Sequence, residues 1–101
     1  MTVKLIVLYT QPDDPAAFDE HYRSVHGPLV EKLPGLDHWE SAKIVAAADG
    51  GEQTYYHTAA LWFSSPEAMQ AAMGSDEGKA TAEDYGTIAP PGSRMFVTAV
   101  D

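Results

Sequence analysis

The chemistry of this sequence centres on four histidines, which are His21, His26, His38 and His57. Histidine titrates near neutral pH, and its ring can donate a proton, accept one or bind a metal ion. His21 and His26 both lie in HYRSVHGPL, residues 21–29, and a spacing of five places two side chains about 140° apart around a helix. That differs from the i, i+4 histidine pair of a zinc protease helix. No metal site is therefore predicted.

Other kinds of catalytic site are excluded by what the sequence lacks. It has no cysteine, which excludes a thiol nucleophile and a cysteine-based zinc site. It also has no GxSxG turn for a serine nucleophile and no glycine-rich nucleotide loop. A neutral imidazole with aromatic neighbours remains, and it can remove a proton next to a carbonyl or from a phenol. We predict that His26 is this acid/base residue, that no cofactor is used, and that Tyr9, Tyr22 or Tyr55 hydrogen-bonds the oxygen that gains charge.

The composition limits the partners of the chain. Six basic residues against fifteen acidic ones give a net charge of −9, which repels nucleic acid. No apolar run approaches the roughly 20 residues that cross a membrane, so no membrane partner is predicted. The first ten residues lack a signal-peptide cleavage site, and a cytoplasmic location is predicted. The length predicts one domain, residues 1–101.

The pattern of apolar residues predicts the elements that position these side chains. Strands are predicted at residues 3–10, 36–47, 54–63 and 93–100. A first helix begins at Pro15 after an Asp14 cap, and a second helical region covers 66–86 with a break near Gly74-Ser75. The order β-α-β-β-α-β predicts an α+β fold, the ferredoxin-like plait, with antiparallel strands in the order 4-1-3-2. Both helices lie on one face of this sheet.

The first helix carries an apolar stripe with a histidine at each boundary. The stripe consists of Phe18, Tyr22, Val25 and Leu29. Since Pro28 lacks the N–H that would bond the carbonyl of Ser24, the helix should kink or restart there. His26 would then lie near a negative helix end, which favours its protonated form. His21 is interpreted as a bystander.

Topology predicts where the remaining candidates lie. His26 should lie near the start of the second strand, beside His38 and Trp39. His57 should lie at the opposite end of the sheet, near Tyr9. These positions make both regions candidates for binding a small hydrophobic molecule between helices and sheet.

The strands also predict a second apolar face. On the third strand, alternation points Tyr56, Thr58, Ala60 and Trp62 away from Tyr55, His57, Ala59, Leu61 and Phe63. Two helices cover only one face of a sheet, and a large apolar face does not stay exposed to water. A homodimer that pairs two sheets face to face is therefore predicted.

Several motifs together resemble the EthD family of dimeric α+β barrel proteins. They are PxDPxxF at 12–18, HYRSVHGPL at 21–29 with its histidine-x-proline-leucine core, and SSPEAMQAAMGSDEGKATAEDYG at 64–86, which has an SxEG break and a late aspartate, Asp84. The resemblance implies a ferredoxin-like monomer that pairs into a barrel, with a pocket between helices and sheet. It places the family's helix histidine at His26.

The resemblance also implies a class of chemistry. The family is named for its association with ethyl tert-butyl ether degradation, and similar proteins include cofactor-independent lactone isomerases, polyketide dehydratases and decarboxylases, and quinone-forming monooxygenases. The isomerases also use a cysteine, which this chain lacks. The predicted function is cofactor-independent acid/base chemistry on a small aromatic, lactone or polyketide-like catabolic intermediate. The predicted catalytic residue is His26, and the predicted substrate-binding residues are Tyr22, His38, Trp39, His57 and Tyr9.

Two alternatives stay open. The same pocket can belong to a non-catalytic accessory protein that holds a hydrophobic small molecule for a degradation pathway. A histidine can also be the axial ligand of a haem, although haem needs a wide apolar cavity and basic partners for its propionates. The acidic composition disfavours haem.

Overall fold

Four antiparallel strands form one sheet, and every helix packs on the same face of it. The computed structural model describes all 101 residues. The strands are β1 (Val3–Thr10), β2 (Leu36–Lys43), β3 (Tyr55–Phe63) and β4 (Arg94–Ala99). Their spatial order is β2-β3-β1-β4, which is the predicted order counted from the other edge. The predicted ferredoxin-like α+β fold is confirmed. β2 ends four residues earlier than predicted, and residues 44–54 form the connection to β3.

The helical layer is built from two rods. The first comprises α1 (Pro15–His21), a π-helical turn (Tyr22–His26) and α2 (Gly27–Glu31), without an interruption between them. The second comprises α3 (Pro66–Gly74) and α4 (Asp76–Ile88). No helix is both long enough and apolar enough to cross a membrane.

Side-chain caps begin these helices where the sequence predicts. Asp14 accepts a hydrogen bond from the backbone N–H of Ala17, and Ser75 accepts one from that of Gly78. A side chain at Gly78 would overlap the carbonyl oxygens at the end of α3, so only glycine allows α4 to begin so close to α3. This junction directs α4 back along the first rod.

The π-helical turn moves the buried stripe of the first rod by one residue. The N–H of Gly27 donates to the carbonyl of Tyr22, five residues back, so this turn holds an extra residue. Pro28 follows at the junction of the π-helical turn and α2, where the hydrogen-bond register changes, and the helix continues although Pro28 donates no N–H. The buried positions are Phe18, Tyr22, His26 and Val30. The predicted burial of Val25 is wrong, since it is 40% exposed, and His26 is a buried residue and not a boundary residue.

A β-bulge shifts the alternation of β3. Tyr9 pairs with His57, whereas the next residue, Thr10, pairs with Tyr55 and skips Tyr56. Tyr56 and His57 are both buried, and the Tyr56 ring lies edge-on to Phe18 at 5.7 Å between centroids. The predicted alternation, in which Tyr56 and His57 point to opposite faces, is therefore wrong at this position. The bulge places two consecutive side chains on the helix side of the sheet.

Candidate functional site

An apolar cavity lies between the two helical rods and the central strands β1 and β3. Its volume is about 160 Å³, and eleven of its thirteen lining residues are hydrophobic. No lysine or arginine lines it, so a carboxylate or phosphate would be buried there without a counter-charge. A comparable cavity elsewhere holds a benzene molecule, and a haem is too large for it. The lining residues are Leu5, Val7, Tyr9, Tyr22, His26, Val30, Ala59, Leu61, Met73, Thr81, Ala82, Tyr85 and Met95.

His26 is held in this wall by a carboxylate from the second rod. Its Nδ1 lies 2.8 Å from Oδ2 of Asp84, a residue of α4. A carboxylate accepts hydrogen bonds, so Nδ1 carries the proton and donates it to Asp84. The neutral ring then has an unprotonated Nε2 with a free lone pair. Asp84 therefore sets both the tautomer and the orientation of the base, as the aspartate of a catalytic triad does.

Tyr9 supplies a hydroxyl group beside that nitrogen. Its hydroxyl oxygen lies 3.5 Å from Nε2 of His26, at the long limit of a hydrogen bond. Burial raises the pKa of Tyr9 well above its ordinary value, with smaller contributions from Tyr22, Tyr85 and Asp84. Tyr9 therefore stays protonated and remains a hydrogen-bond donor.

The protonation state of His26 differs from the sequence prediction. Burial lowers the pKa of His26, and this effect outweighs the hydrogen bond and charge of Asp84, which raise it. The ring is 4% exposed and lies inside a continuous helical rod, so it does not face a negative helix end. The predicted preference for the protonated form is wrong. His26 is a neutral base at neutral pH.

His21 also binds Asp84, so its interpretation as a bystander is wrong. Its Nε2 lies 2.8 Å from Oδ1, the other carboxylate oxygen. Asp84 is the main residue that the sequence prediction missed. It stands 58 positions from His26 and 63 from His21. The only signal was its place in the family pattern, to which no role was attached.

Two of the predicted binding residues lie with His26 around the cavity. They are Tyr9 and Tyr22. The Tyr22 ring lies 5.2 Å from the His26 ring, and burial raises the pKa of Tyr22 to about 12, with Ser41 partly opposing this. Tyr55, the third tyrosine considered, does not line the cavity. Tyr9 and Tyr22 are thus the two predicted tyrosines at the cavity wall, where Tyr85 and Thr81 carry further hydroxyl groups.

A second depression, an open groove of about 470 Å³, separates the first rod from β2. His57 and Trp39 line it, and Tyr22 lines both the groove and the cavity. The His57 ring lies 4.4 Å from that of Tyr22 and 5.8 Å from that of Tyr9. The prediction that opposite ends of the sheet separate His57 from His26 is wrong, because both histidines lie against Tyr9.

Trp39 and His38 are adjacent in sequence but face opposite sides of the sheet. Trp39 lies against the first rod, where a Cβ on Gly27 would be 3.6 Å from its Cη2 atom. His38 is exposed, and its ring packs on Trp62, 4.8 Å away, on the face without helices. Trp39 thus lies beside Gly27, the residue that follows His26, whereas His38 faces the other side of the sheet. His38 belongs to neither the cavity nor the groove.

The arrangement supports acid/base chemistry. A neutral imidazole of fixed tautomer faces an apolar space, next to a neutral hydroxyl donor. No group of three or more His, Cys, Asp or Glu side chains is arranged to hold a metal ion. These residues can remove a proton from a bound molecule and return it elsewhere.

Distant solved structures share the fold. A dimeric ferredoxin-like protein of unknown function from Thermobifida fusca has a TM-score of 0.76 at 13% identity, with 99% of this chain and 92% of that chain covered. The hydroxynitrile lyase from Passiflora edulis has a TM-score of 0.77 at 14% identity, with 99% and 94% covered. At such identities the likeness shows the fold alone.

More similar proteins establish the family. An uncharacterised 11.0 kDa protein of the thcB–thcC intergenic region of Rhodococcus erythropolis is 37% identical over 95 residues, which are 94% of this chain and 91% of that protein. The crystal structure of an ethyl tert-butyl ether degradation (EthD) family protein from Bacillus halodurans has a TM-score of 0.92 at 38% identity and covers both chains fully. The family model for the EthD domain matches residues 11–91. The chain belongs to the EthD family.

Proposed function

We propose that this protein is a cofactor-independent enzyme that moves a proton on a small, uncharged, hydrophobic molecule, with His26 as the acid/base. One observation carries the proposal: His26, with its tautomer set by Asp84, and Tyr9 line the same apolar cavity, and the Tyr9 hydroxyl lies 3.5 Å from Nε2 of His26. The fold neighbours include a hydroxynitrile lyase. Membership of the EthD family is compatible with a catalytic or a binding role.

The proposed step is removal of a proton from the carbon next to a carbonyl group. Nε2 of His26 takes the proton, and the electron pair of the broken C–H bond moves to the carbonyl oxygen. The O–H of Tyr9 donates to that oxygen as its negative charge develops. Asp84 stabilises the imidazolium that forms. The imidazolium returns the proton to another atom, which gives an isomerisation, or protonates a leaving group, which gives an elimination.

The size of the cavity narrows the substrate class. A volume of about 160 Å³ suits a molecule of roughly six to eight non-hydrogen atoms, since about 150 Å³ holds benzene. Single aromatic rings and small lactones fit, whereas an extended polyketide chain does not. The absence of lysine and arginine from the cavity wall favours uncharged substrates.

Proton exchange with heavy water tests the proposal without knowledge of the natural product. Cyclohexanone and δ-valerolactone are incubated with the protein in D2O, and loss of the α-proton signal is followed by NMR. Exchange should exceed the buffer rate and fall by roughly 100-fold or more in His26→Gln. His38→Gln, on the opposite face, is the matched control and should keep the wild-type rate.

Two outcomes would remove the catalytic role. Binding of these probes in the cavity without exchange would favour the accessory alternative, in which the protein holds a small molecule unchanged. Exchange that persists in His26→Gln would assign the base to another residue.

We also infer that the sheet face without helices binds a second copy of the chain. This face carries Ile6, Leu8, Ala60, Trp62 and Phe96, and fold neighbours are described as dimeric. Phe96→Glu should convert a dimer to a monomer in light scattering, because Phe96 is 41% exposed on this face. Val45→Glu, on the 85% exposed loop position, should not. A monomeric wild type at micromolar concentration would contradict the inference.

A cytoplasmic location and a role in ether degradation stay predictions.

A further inference from the structure

The buried side-chain polar atoms that lack a hydrogen-bond partner lie together in one part of this protein. The buried side-chain nitrogen and oxygen atoms without a hydrogen-bond partner within 3.5 Å are the hydroxyl of Tyr22 and both ring nitrogens of His57. Ser41, which also lines the groove, lies close enough to that hydroxyl to lower the pKa of Tyr22. Buried polar atoms in native proteins are almost always paired, because an unpaired one keeps the full cost of leaving water. The two residues are neighbours, with ring centroids 4.4 Å apart. Their clustering indicates that a binding partner belongs there.

Both residues lie beneath the groove between the first rod and β2. The groove holds about 470 Å³, about three times the volume of the cavity, and only two of its ten lining residues are hydrophobic. Trp39 forms an aromatic wall that rests against Gly27 of α2. The unpaired atoms themselves are closed to water in this conformation. A ligand therefore reaches them when a side chain of the wall moves aside.

The charges of the groove indicate an uncharged ligand. Lys43 pairs with Asp19 at 2.9 Å, and Arg23 pairs with Glu20. The remaining carboxylate, Glu31, has no cation among these pairs and disfavours an anion. Each cation of the groove wall already has a carboxylate partner, so a bound carboxylate or phosphate would compete with that partner.

The hydrogen-bonding capacity of the two residues defines the ligand further. Burial lowers the pKa of His57, so its ring is neutral, with one N–H donor and one acceptor nitrogen. The Tyr22 hydroxyl can also donate and accept. A carboxylate offers only acceptors, and an ammonium group offers only donors. A hydroxyl group or a primary amide offers both.

We propose that the groove is a second binding site for a planar, uncharged molecule that carries a hydroxyl or primary amide group. The polar group pairs with His57 and Tyr22, and the ring of the ligand lies along Trp39. The site shares Tyr22 with the cavity wall but does not include His26, and the proposal does not depend on the acid/base role of His26.

Binding of three isosteric probes tests the site. Benzamide is titrated against the protein and followed by 1H–15N NMR of the Trp39 indole and the His57 ring. Benzoate and benzylamine, which have the same ring and a charged head, are the matched controls. Benzamide should shift both sets of signals, and the charged probes should bind at least tenfold more weakly.

Two variants separate a ligand site from a structural role. His57→Phe should weaken benzamide binding at least tenfold, and Tyr22→Phe should weaken it less. Both should leave the melting temperature unchanged or raise it, because each removes an unpaired polar group. His26→Gln should keep benzamide in the groove, so failure of the proposed catalysis does not remove this site.

Three results would overturn the proposal. Benzamide shifts that avoid Trp39 and His57 would place the probe in the cavity. Equal binding of benzoate would contradict the inferred selection for an uncharged group. A lower melting temperature in His57→Phe would show that His57 has a structural role and that a bound water satisfies it.

Discussion

His26 and His57 are two buried imidazoles that share a neighbour and differ in their partners. They are 4% and 8% exposed, both lie against Tyr9, and burial lowers the pKa of both. His26 donates to Asp84, whereas neither nitrogen of His57 has a partner. Desolvation therefore makes both rings neutral. The two rings differ in their chemistry because only His26 has a hydrogen-bond partner, Asp84, that fixes its tautomer. A fixed tautomer suits a base, and a ring without a fixed tautomer can adapt to a ligand.

The two situations arise from two local irregularities. The π-helical turn moves His26 into the core, opposite the carboxylate that α4 supplies. The β-bulge places Tyr56 beside His57 on the helix side, where Tyr56 donates to Asp19 and no carboxylate reaches His57. The two histidines therefore differ because α4, in the second rod, supplies a carboxylate partner to His26 and none to His57.

Removal of the carboxylate should have the largest effect. In Asp84→Asn the amide can no longer accept from both histidines, and His26 loses its fixed tautomer. The α-proton exchange rate should fall by roughly 10²–10⁴-fold. The 15N signals of His26 should shift towards a mixture of tautomers, which a purely structural role would not produce. Glu83→Gln, an exposed neighbour on α4, is the control. An unchanged exchange rate in Asp84→Asn would show that a fixed tautomer is not what distinguishes His26 from His57.

Loss of the shared hydroxyl should have a smaller effect. Tyr9→Phe removes the donor to the developing enolate oxygen, and exchange should fall by roughly 10- to 100-fold. The free energy of unfolding should change by less than about 1 kcal/mol, because that hydroxyl makes only a 3.5 Å contact. Exchange kinetics and urea unfolding measure the two quantities. A large loss of stability with normal exchange would make Tyr9 a packing residue only.

The pH dependence of stability should report both histidines. The pKa of each is lowered in the folded state, so the unfolded chain binds protons first as the pH falls below about 6.5. Their contribution is present above that pH and is lost as the pH falls through the folded pKa. His57→Phe should roughly halve the part of the slope that the two rings cause. Urea unfolding between about pH 7 and about pH 5 measures it. An unchanged slope would show that His57 does not titrate differently on folding.

Removal of the Lys43 charge should change the pKa of His57 and not that of His26. Lys43 lowers the pKa of His57 and is absent from the causes that shift His26. Lys43→Gln should therefore raise the pKa of His57, with His26 unchanged. Stability should change little, because the ion pair with Asp19 is exposed. NMR titration of both rings measures the shift. Equal shifts would mean that the two sites are electrostatically coupled.

The caps and the strand order were predictable because they depend on local signals. Asp14, Ser65 and Ser75 begin helices where their side chains accept backbone N–H groups. The bounds of β1 match the prediction because one continuous apolar run ends at turn residues. The four-strand order followed from topological rules that need only the sequence of elements.

The irregular turns were less predictable because regular periodicity hides them. A helical stripe assumes 3.6 residues per turn, and one π-helical turn replaces Val25 and Leu29 with His26 and Val30 at the buried positions. Pro28 signalled that the helix would be irregular, but not that it would continue. The bulge likewise moved Tyr56 to the helix face.

The sequence by itself determined the fold, the family and the residue on which the chemistry is proposed to rest. HYRSVHGPL specifies a helix with a histidine ahead of a proline, and the motifs around it identify the EthD family. Only the tertiary structure decided that His26 is buried and neutral and that Asp84 holds its tautomer. The physical reason is that desolvation and a partner 58 positions away set the state of a titratable ring. The residues next to His26 in the sequence determine neither its burial nor this partner.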